Sequence, residues 1–215
     1  MQDMAQSKIC GLSTPEAVAR ALAGGAAYIG FVFFPKSPRN ISAEDAARLA
    51  ASARGRAKVV AVTVDASDTD LDTIARILKP DLIQLHGKET PNRAAEVRAR
   101  TAAGVIRAIP ISTPDDFSVA QAFDGAVDHL MFDAKPPAGA DLPGGNGAAF
   151  DWAMLKGRRF SRPWFLAGGL DPWSVGEAVR ASDAPLVDVS SGVERGPGIK
   201  DPDLITAFLD AVRRG

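Results

Sequence analysis

Eight short apolar runs alternate with longer amphipathic stretches along nearly the whole chain, and no other feature limits the fold so tightly. The runs are KICGL (8–12), YIGFVFF (28–34), VVAVTV (59–64), LIQLH (82–86), VIRAI (105–109), HLMFD (129–133), WFLAG (164–168) and LVDVS (186–190). Each is rich in Val, Ile, Leu or Phe and is bounded by Gly, Pro, Asp or Ser, as strands are. Their nearly continuous apolarity suits parallel strands covered on both faces.

The intervening segments carry apolar residues at helical spacing, as in EAVARALAGG, AEDAARLAASARG, LDTIARILK, RAAEVRARTAAG and LITAFLDAVRRG. Thr14-Pro15, Thr90-Pro91, Thr113-Pro114, Asp171-Pro172 and Asp201-Pro202 each pair an N-cap residue with a proline suited to the first helical position. Gly24, Gly55 and Gly104 fall where helices should end. Eight strand–helix units in 215 residues predict a single-domain α/β fold, an eight-stranded parallel βα barrel. A doubly wound open sheet is the competitor, and it requires a Gly-rich dinucleotide turn after the first strand. ICGLSTPE has no such turn, so the barrel is preferred. Residues 1–7 read as an extension and 8–215 as the barrel.

The formal net charge of −1 gives no reason to expect nucleic acid or an anionic membrane as partner. The single cysteine cannot form an internal disulfide and suits a reducing compartment. No apolar run approaches the ~18 residues of a membrane span, and MQDMAQSK lacks the apolar core of a secretory signal. A cytoplasmic enzyme, monomer or homodimer, is the expectation.

Function gathers at the C-terminal strand ends of such barrels, and residues two apart on a strand share a face. Lys8 and Cys10 share one on the first strand, Gln84 and His86 on the fourth, Met131 and Asp133 on the sixth, and Asp188 and Ser190 on the eighth. Arg107 lies in the fifth. If these side chains point inward, they converge on one mouth. Cys10 is open to two readings: lone cysteines are usually inert core, but a strand end beside cationic Lys8 favours a thiolate. Asp133 ends an apolar run and needs partners; a cap or an ion pair with Lys135 is the structural alternative. His86 reads equally as a satisfied core histidine, and Asp188 as an anchor for loops. Two histidines without a carboxylate cluster argue against a metal.

Two glycine-bearing turns sharpen the picture. AGGLDP follows the seventh run with Gly168 and Gly169, and SSGVE follows the eighth with Ser191 and Gly192. The loops after strands seven and eight are the recurrent phosphate site of βα barrels, and exposed backbone amides there hold an anion. FFPKSPRNIS sets Lys36 and Arg39 in a loop after the second strand. Arg39 can fork onto a carboxylate or belong to a solvated basic loop. Residues 136–152 form a long Gly- and Pro-rich segment, an active-site cover or a disordered loop.

KICGL, GFVFFPKSPRNI, QLHG, FDAK, GGNGAAFDW, AGGLDP and VDVSSGVERGPGIKD, in this order, resemble the phosphoribosylanthranilate isomerase family from Lys8 to Asp201. The resemblance implies a single βα barrel of tryptophan biosynthesis, an aldose–ketose isomerase (an intramolecular oxidoreductase). Its reaction is a cofactor- and metal-free Amadori rearrangement of N-(5-phosphoribosyl)anthranilate, a phosphorylated aminosugar, to 1-(2-carboxyphenylamino)-1-deoxyribulose 5-phosphate. It assigns Cys10 as general base and Asp133 as general acid, and sets Arg39 on the anthranilate carboxylate. Gly168, Gly169, Ser191 and Gly192 then fall in the phosphate-binding loops; the strand-end reading above, not the resemblance, is what sets Lys8, Gln84, His86, Arg107 and Asp188 around the substrate. One departure is Asn146, where the family commonly has Thr in a GGTG loop. The chemistry asks for an acid that starts protonated and a base that starts at least partly ionised. Asp133 should therefore be raised in pKa by an apolar surround, and Cys10 lowered by Lys8.

Three other readings compete: a Schiff-base aldolase using Lys8 or Lys135, the neighbouring indole-glycerol-phosphate synthase, and a phosphosugar-binding barrel without chemistry. The second needs catalytic lysines and glutamates not found here. The third is hard to square with a paired Cys10 and Asp133.

Overall fold

The computed structural model describes residues 4–135, 139, 144–145 and 149–214. Eight strands close into a parallel barrel in sequence order: β1 (Gln6–Cys10), β2 (Tyr28–Phe33), β3 (Lys58–Thr63), β4 (Leu82–Leu85), β5 (Gly104–Ile111), β6 (His129–Ala134), β7 (Trp164–Leu166) and β8 (Leu186–Val189). β1 and β8 complete the circle, with Lys8 opposite both Tyr28 and Asp188. β1 starts earlier than the apolar pattern implies. Gln6 and Ser7 pair with Leu186 and Val187, so these two residues of the expected extension belong to the barrel. Met1–Asp3 lie outside the described residues.

Strand alternation divides the core in two. Ile9, Ile29, Phe31, Ala61, Ile83, Val105, Phe132 and Val187 face outward and pack under helix residues such as Val18, Ile74, Val97 and Phe208. Cys10, Val32, Val60, Val62, Ile106, Met131, Phe165 and Leu186 fill the barrel. Apolar layers inside the barrel leave only its mouth for polar chemistry.

Seven α-helices are described: α1 (Pro15–Ala23), α2 (Ala43–Ala50), α3 (Asp68–Ile77), α4 (Pro91–Thr101), α5 (Val119–Ala122), α6 (Val175–Ser182) and α7 (Pro202–Arg214). Thr14 and Thr90 cap α1 and α4 by accepting from the N–H groups of Ala17 and Arg93. Asp201 does the same for α7 through Asp203 and Leu204. The other proline signals read differently. Asp171 accepts from the N–H groups of Trp173 and Ser174, closing a turn, and α6 begins only at Val175. Thr113 and Asp116 form a capping box on a 3-10 segment that leads into the one-turn α5.

Gly104 is the first residue of β5 rather than a helix end. Ala102 supplies the left-handed cap of α4 at φ 54°. Between β6 and β7 the described residues hold a 3-10 turn, Trp152–Leu155, and no α-helix. The expected eight full units are therefore eight strands with seven helices. A Gly- and Pro-rich segment stands where the remaining helix would start, and it lacks the apolar periodicity a helix needs. Among the described residues, no helix is long and apolar enough to cross a membrane.

Candidate active site

A cavity of about 830 Å3, counting its open mouth, lies at the C-terminal ends of the strands. Cys10, Gln84, His86, Asp133 and Asp188 reach it from four strands and their ends, with Arg39, Gly168, Gly169 and Ser191 from the loops. Pleat parity explains the convergence: these strand positions all belong to the inward set, at or just beyond the last apolar layer.

Lys8 lies one step below the cavity. It is fully buried, and its Nζ donates to Asp188 Oδ1 at 2.7 Å. Burial alone pushes Lys8 toward neutrality. Burial is outweighed mainly by the Asp188 carboxylate and its hydrogen bond, with a smaller part from the neighbouring Cys10, so the Lys8 pKa stays above its ordinary value. Cys10 behaves against expectation. Burial pushes its thiol up further than Lys8 and Lys200 pull it down, and Asp188 adds to the rise. The expected lowering of the thiol by Lys8 is therefore corrected: the Cys10 pKa is held above its ordinary value. Asp188 absorbs the ammonium's charge at close range, and Lys8, Cys10 and Asp188 are all buried.

Asp133 ends the inward face of β6. Its Oδ1 accepts from the N–H of Ala134 at 2.9 Å, and its Oδ2 lies 3.1 Å from His86 Nε2. Gln84, one pleat below His86, places Nε2 2.9 Å from His86 Nδ1. Gly144 packs against His86 and Asp133, and Gly145 against Arg39 Nη1, so this part of the segment after β6 covers the cavity. Asn146 and Gly147 lie outside the described residues.

Arg39 is clamped. Its Nε and Nη2 donate to Glu194 Oε1 and Oε2 at 2.7 and 2.9 Å. Lys200 donates to Glu194 Oε1 at 2.6 Å and to the Ser190 carbonyl at 2.8 Å. Burial raises the Glu194 carboxyl, but Arg39 and Lys200 outweigh it and hold its pKa below the usual range. Glu194 and Lys200 sit on a small antiparallel hairpin, β9 (Glu194–Gly196) and β10 (Ile199–Lys200). Both residues stand in the VDVSSGVERGPGIKD motif, yet the sequence reading gave them no part in the site. Their opposite charges in a Gly-Pro hairpin were the available signal.

The two phosphate-loop candidates touch one another. A Cβ on Gly192 would come within 1.9 Å of the Leu170 carbonyl oxygen, so only glycine lets the β8 loop pack against the β7 loop. Gly192 thus backs the cavity rather than lining it. A Cβ on Gly168 would meet the Ala134 nitrogen at 2.5 Å and Asp133 Oδ1 at 2.9 Å. Gly168, Gly169 and Ser191 line the cavity beside these turns.

Arg107 is not brought to the cavity. It lies on the outward face of β5, where its Nη1 donates to Glu89 Oε2 at 2.7 Å and its Nη2 to the Gly87 carbonyl. Its guanidinium stacks over Phe123 at 5.2 Å. The inward residues of β5 are Ile106 and Ala108. Arg107 therefore braces the loop that follows β4, and the expectation that it binds substrate is corrected on this ground. Among the described residues, no three His, Cys, Asp or Glu side chains gather where they could hold a metal ion.

Comparison with known proteins gives a consistent result. A family model described as N-(5'-phosphoribosyl)anthranilate (PRA) isomerase matches residues 7–211. The N-(5'-phosphoribosyl)anthranilate isomerase of Caulobacter sp. (strain K31) is 65% identical over 212 residues, covering 98% of this chain and 100% of that one. The crystal structure of phosphoribosyl anthranilate isomerase from Thermotoga maritima superposes with a TM-score of 0.87 at 32% identity, over 99% of this chain and 100% of that one. A phosphoribosyl anthranilate isomerase in complex with reduced 1-(o-carboxyphenylamino)-1-deoxyribulose 5-phosphate superposes at 0.84 with 31% identity, over 99% and 100%.

Proposed function

The chain belongs to the N-(5'-phosphoribosyl)anthranilate isomerase family of tryptophan biosynthesis, and from that premise we propose that Asp133 and Cys10 are the acid and base of its isomerisation. The reading assigns the Amadori rearrangement of N-(5-phosphoribosyl)anthranilate to 1-(2-carboxyphenylamino)-1-deoxyribulose 5-phosphate. The observation that carries it is the position of the two groups. They reach one cavity from strands β1 and β6, on different sides of the barrel.

The phosphate binds the turns at Gly168–Gly169 and Ser191–Gly192, and the anthranilate carboxylate meets Nη1 of Arg39, which is not used in the clamp to Glu194. These contacts span the sugar between Cys10 and Asp133. Protonated Asp133 gives its proton to the ring oxygen as the bond from that oxygen to the anomeric carbon breaks. The anthranilate nitrogen supplies the electron pair, forming an iminium. The cation acidifies the proton on the second carbon, and the Cys10 thiolate removes it to give an enolamine. Tautomerisation gives the ketone. The Cys10 pKa is held above its ordinary value, so the reaction draws on a minority thiolate stabilised by Lys8 and Lys200. A single reduced cysteine suits the cytoplasm.

The test follows loss of substrate fluorescence. Cys10→Ser and Asp133→Asn should each nearly abolish turnover while fold and inorganic phosphate affinity survive. Unaltered turnover in either variant removes that residue from the mechanism.

A further inference from the structure

Resting on the reading that Arg39 meets the substrate carboxylate, we propose that Lys200 gives that subsite its net positive charge without touching substrate. Arg39 supplies the hydrogen bond, and Lys200 cancels the carboxylate that holds Arg39 in place. Lys200 is thus a positioning residue, acting through Glu194 and Arg39.

An arginine clamped by a glutamate is a neutral pair. Arg39 takes both oxygens of Glu194, and the two side chains are 7% and 3% exposed. Charges so enclosed are poorly screened. An anion reaching Nη1 meets the guanidinium and, behind it, a carboxylate of its own sign. Such a pair fixes geometry but offers an anion little net attraction.

Lys200 changes that sum. Its Nζ, on a side chain 1% exposed, donates to Glu194 Oε1 at 2.6 Å. Arg39, Glu194 and Lys200 together carry one positive charge. The other acceptors of Nζ are the Ser190 carbonyl at 2.8 Å and Ser190 Oγ at 3.3 Å. Three acceptors match the three donors of an ammonium. Burial lowers the Lys200 pKa, and Glu194 and Cys10 oppose that fall.

The cavity has no second cation to do this work. Among the described residues, Arg39 is the only Lys or Arg that lines it, whereas Asp133 and Asp188 line it with the opposite sign. Lys8 is already paired with Asp188. Lys200 and Glu194 do not line the cavity, so they act from behind Arg39. Lys200 also braces Ser190, whose Oγ donates to the Cys10 carbonyl. A brace alone would not distinguish a charged ligand from a neutral one.

The probes are reduced 1-(2-carboxyphenylamino)-1-deoxyribulose 5-phosphate and its counterpart with a carboxamide in place of the carboxylate, each titrated by calorimetry. Both offer Arg39 an oxygen, but only one brings a charge to it. Lys200→Met should weaken the carboxylate ligand about thirtyfold, the worth of unit charges about 8 Å apart under an effective dielectric of about 20. The carboxamide should stay within about threefold. Equal weakening of both ligands would make Lys200 a brace and overturn the proposal, as would unchanged carboxylate affinity. Wild-type enzyme should itself prefer the carboxylate by about thirtyfold or more. Equal affinity there also overturns the proposal, and this arm needs no variant to fold. Failure of the Arg39 reading would appear separately, as an Arg39→Met enzyme that binds both ligands as wild type does.

Discussion

Replacing Lys8 with methionine keeps a side chain of similar length beneath the cavity and deletes its charge. Lys8 and Asp188 are 2.7 Å apart, with side chains 0% and 9% exposed. Removing one member of a buried pair strands the other and costs about 3–5 kcal/mol. At about 2–4 °C per kcal/mol for a chain of this size, Tm should fall by about 6–20 °C. Adding Asp188→Asn removes the stranded charge and should restore most of that loss. It should not restore chemistry. Two unit charges at hydrogen-bond range under an effective dielectric of about 20 interact by about 4 kcal/mol, or about three pH units of thiolate formation.

The double variant should therefore fold and yet form thiolate less readily, by less than that limit, because losing Asp188 also removes its smaller opposing push on the thiol. Cys10 is the only cysteine, so its alkylation by iodoacetamide against pH reads thiolate formation without background. Alkylation of the double variant along the wild-type pH curve would refute the reasoning, because the ammonium would then have no hold on the thiolate.

Two other outcomes follow from the same geometry. Glu194→Gln loosens the clamp on Arg39; steady-state kinetics should show KM raised about tenfold, as for one charged hydrogen bond, with kcat less affected. His129 packs against Tyr28 and Phe165, and burial lowers its pKa. Below its ordinary value of about 6.5 the unfolded chain binds this proton more readily than the folded one. The contribution is thus present above that pH and lost as pH falls through it. Urea midpoints should therefore decline less on acidification in His129→Phe than in wild type, and parallel declines would count against this.

The barrel was legible because each strand is a short apolar run set off by glycine, proline or a capping residue. Strand parity also marked Cys10, Gln84, His86, Asp133 and Asp188 for one mouth. Arg107 escaped the rule because β5 is apolar on both faces, Ile106 and Ala108 inward, Ile109 outward, and continuous apolarity carries no sign of which set points in. The raised pKa of Cys10 was hidden for a different reason. Sequence shows that Lys8 is near in the chain, but not how deeply Cys10 is buried or that Asp188 takes up the ammonium's charge. Glu194 and Lys200 acquire meaning only when the hairpin folds back onto the loop carrying Arg39, a contact spanning 155 residues. That the described residues between β6 and β7 hold no α-helix fits a Gly- and Pro-rich sequence with no apolar period.

The division of labour between Asp133 and Cys10 is tested most directly by single turnovers of substrate deuterated at the second sugar carbon. Weakening the base makes proton abstraction limiting, and weakening the acid makes ring opening limiting. The account predicts that Cys10→Ser enlarges the isotope effect relative to wild type and that Asp133→Asn suppresses it. An isotope effect enlarged by Asp133→Asn and suppressed by Cys10→Ser, or left equal in both, would contradict it.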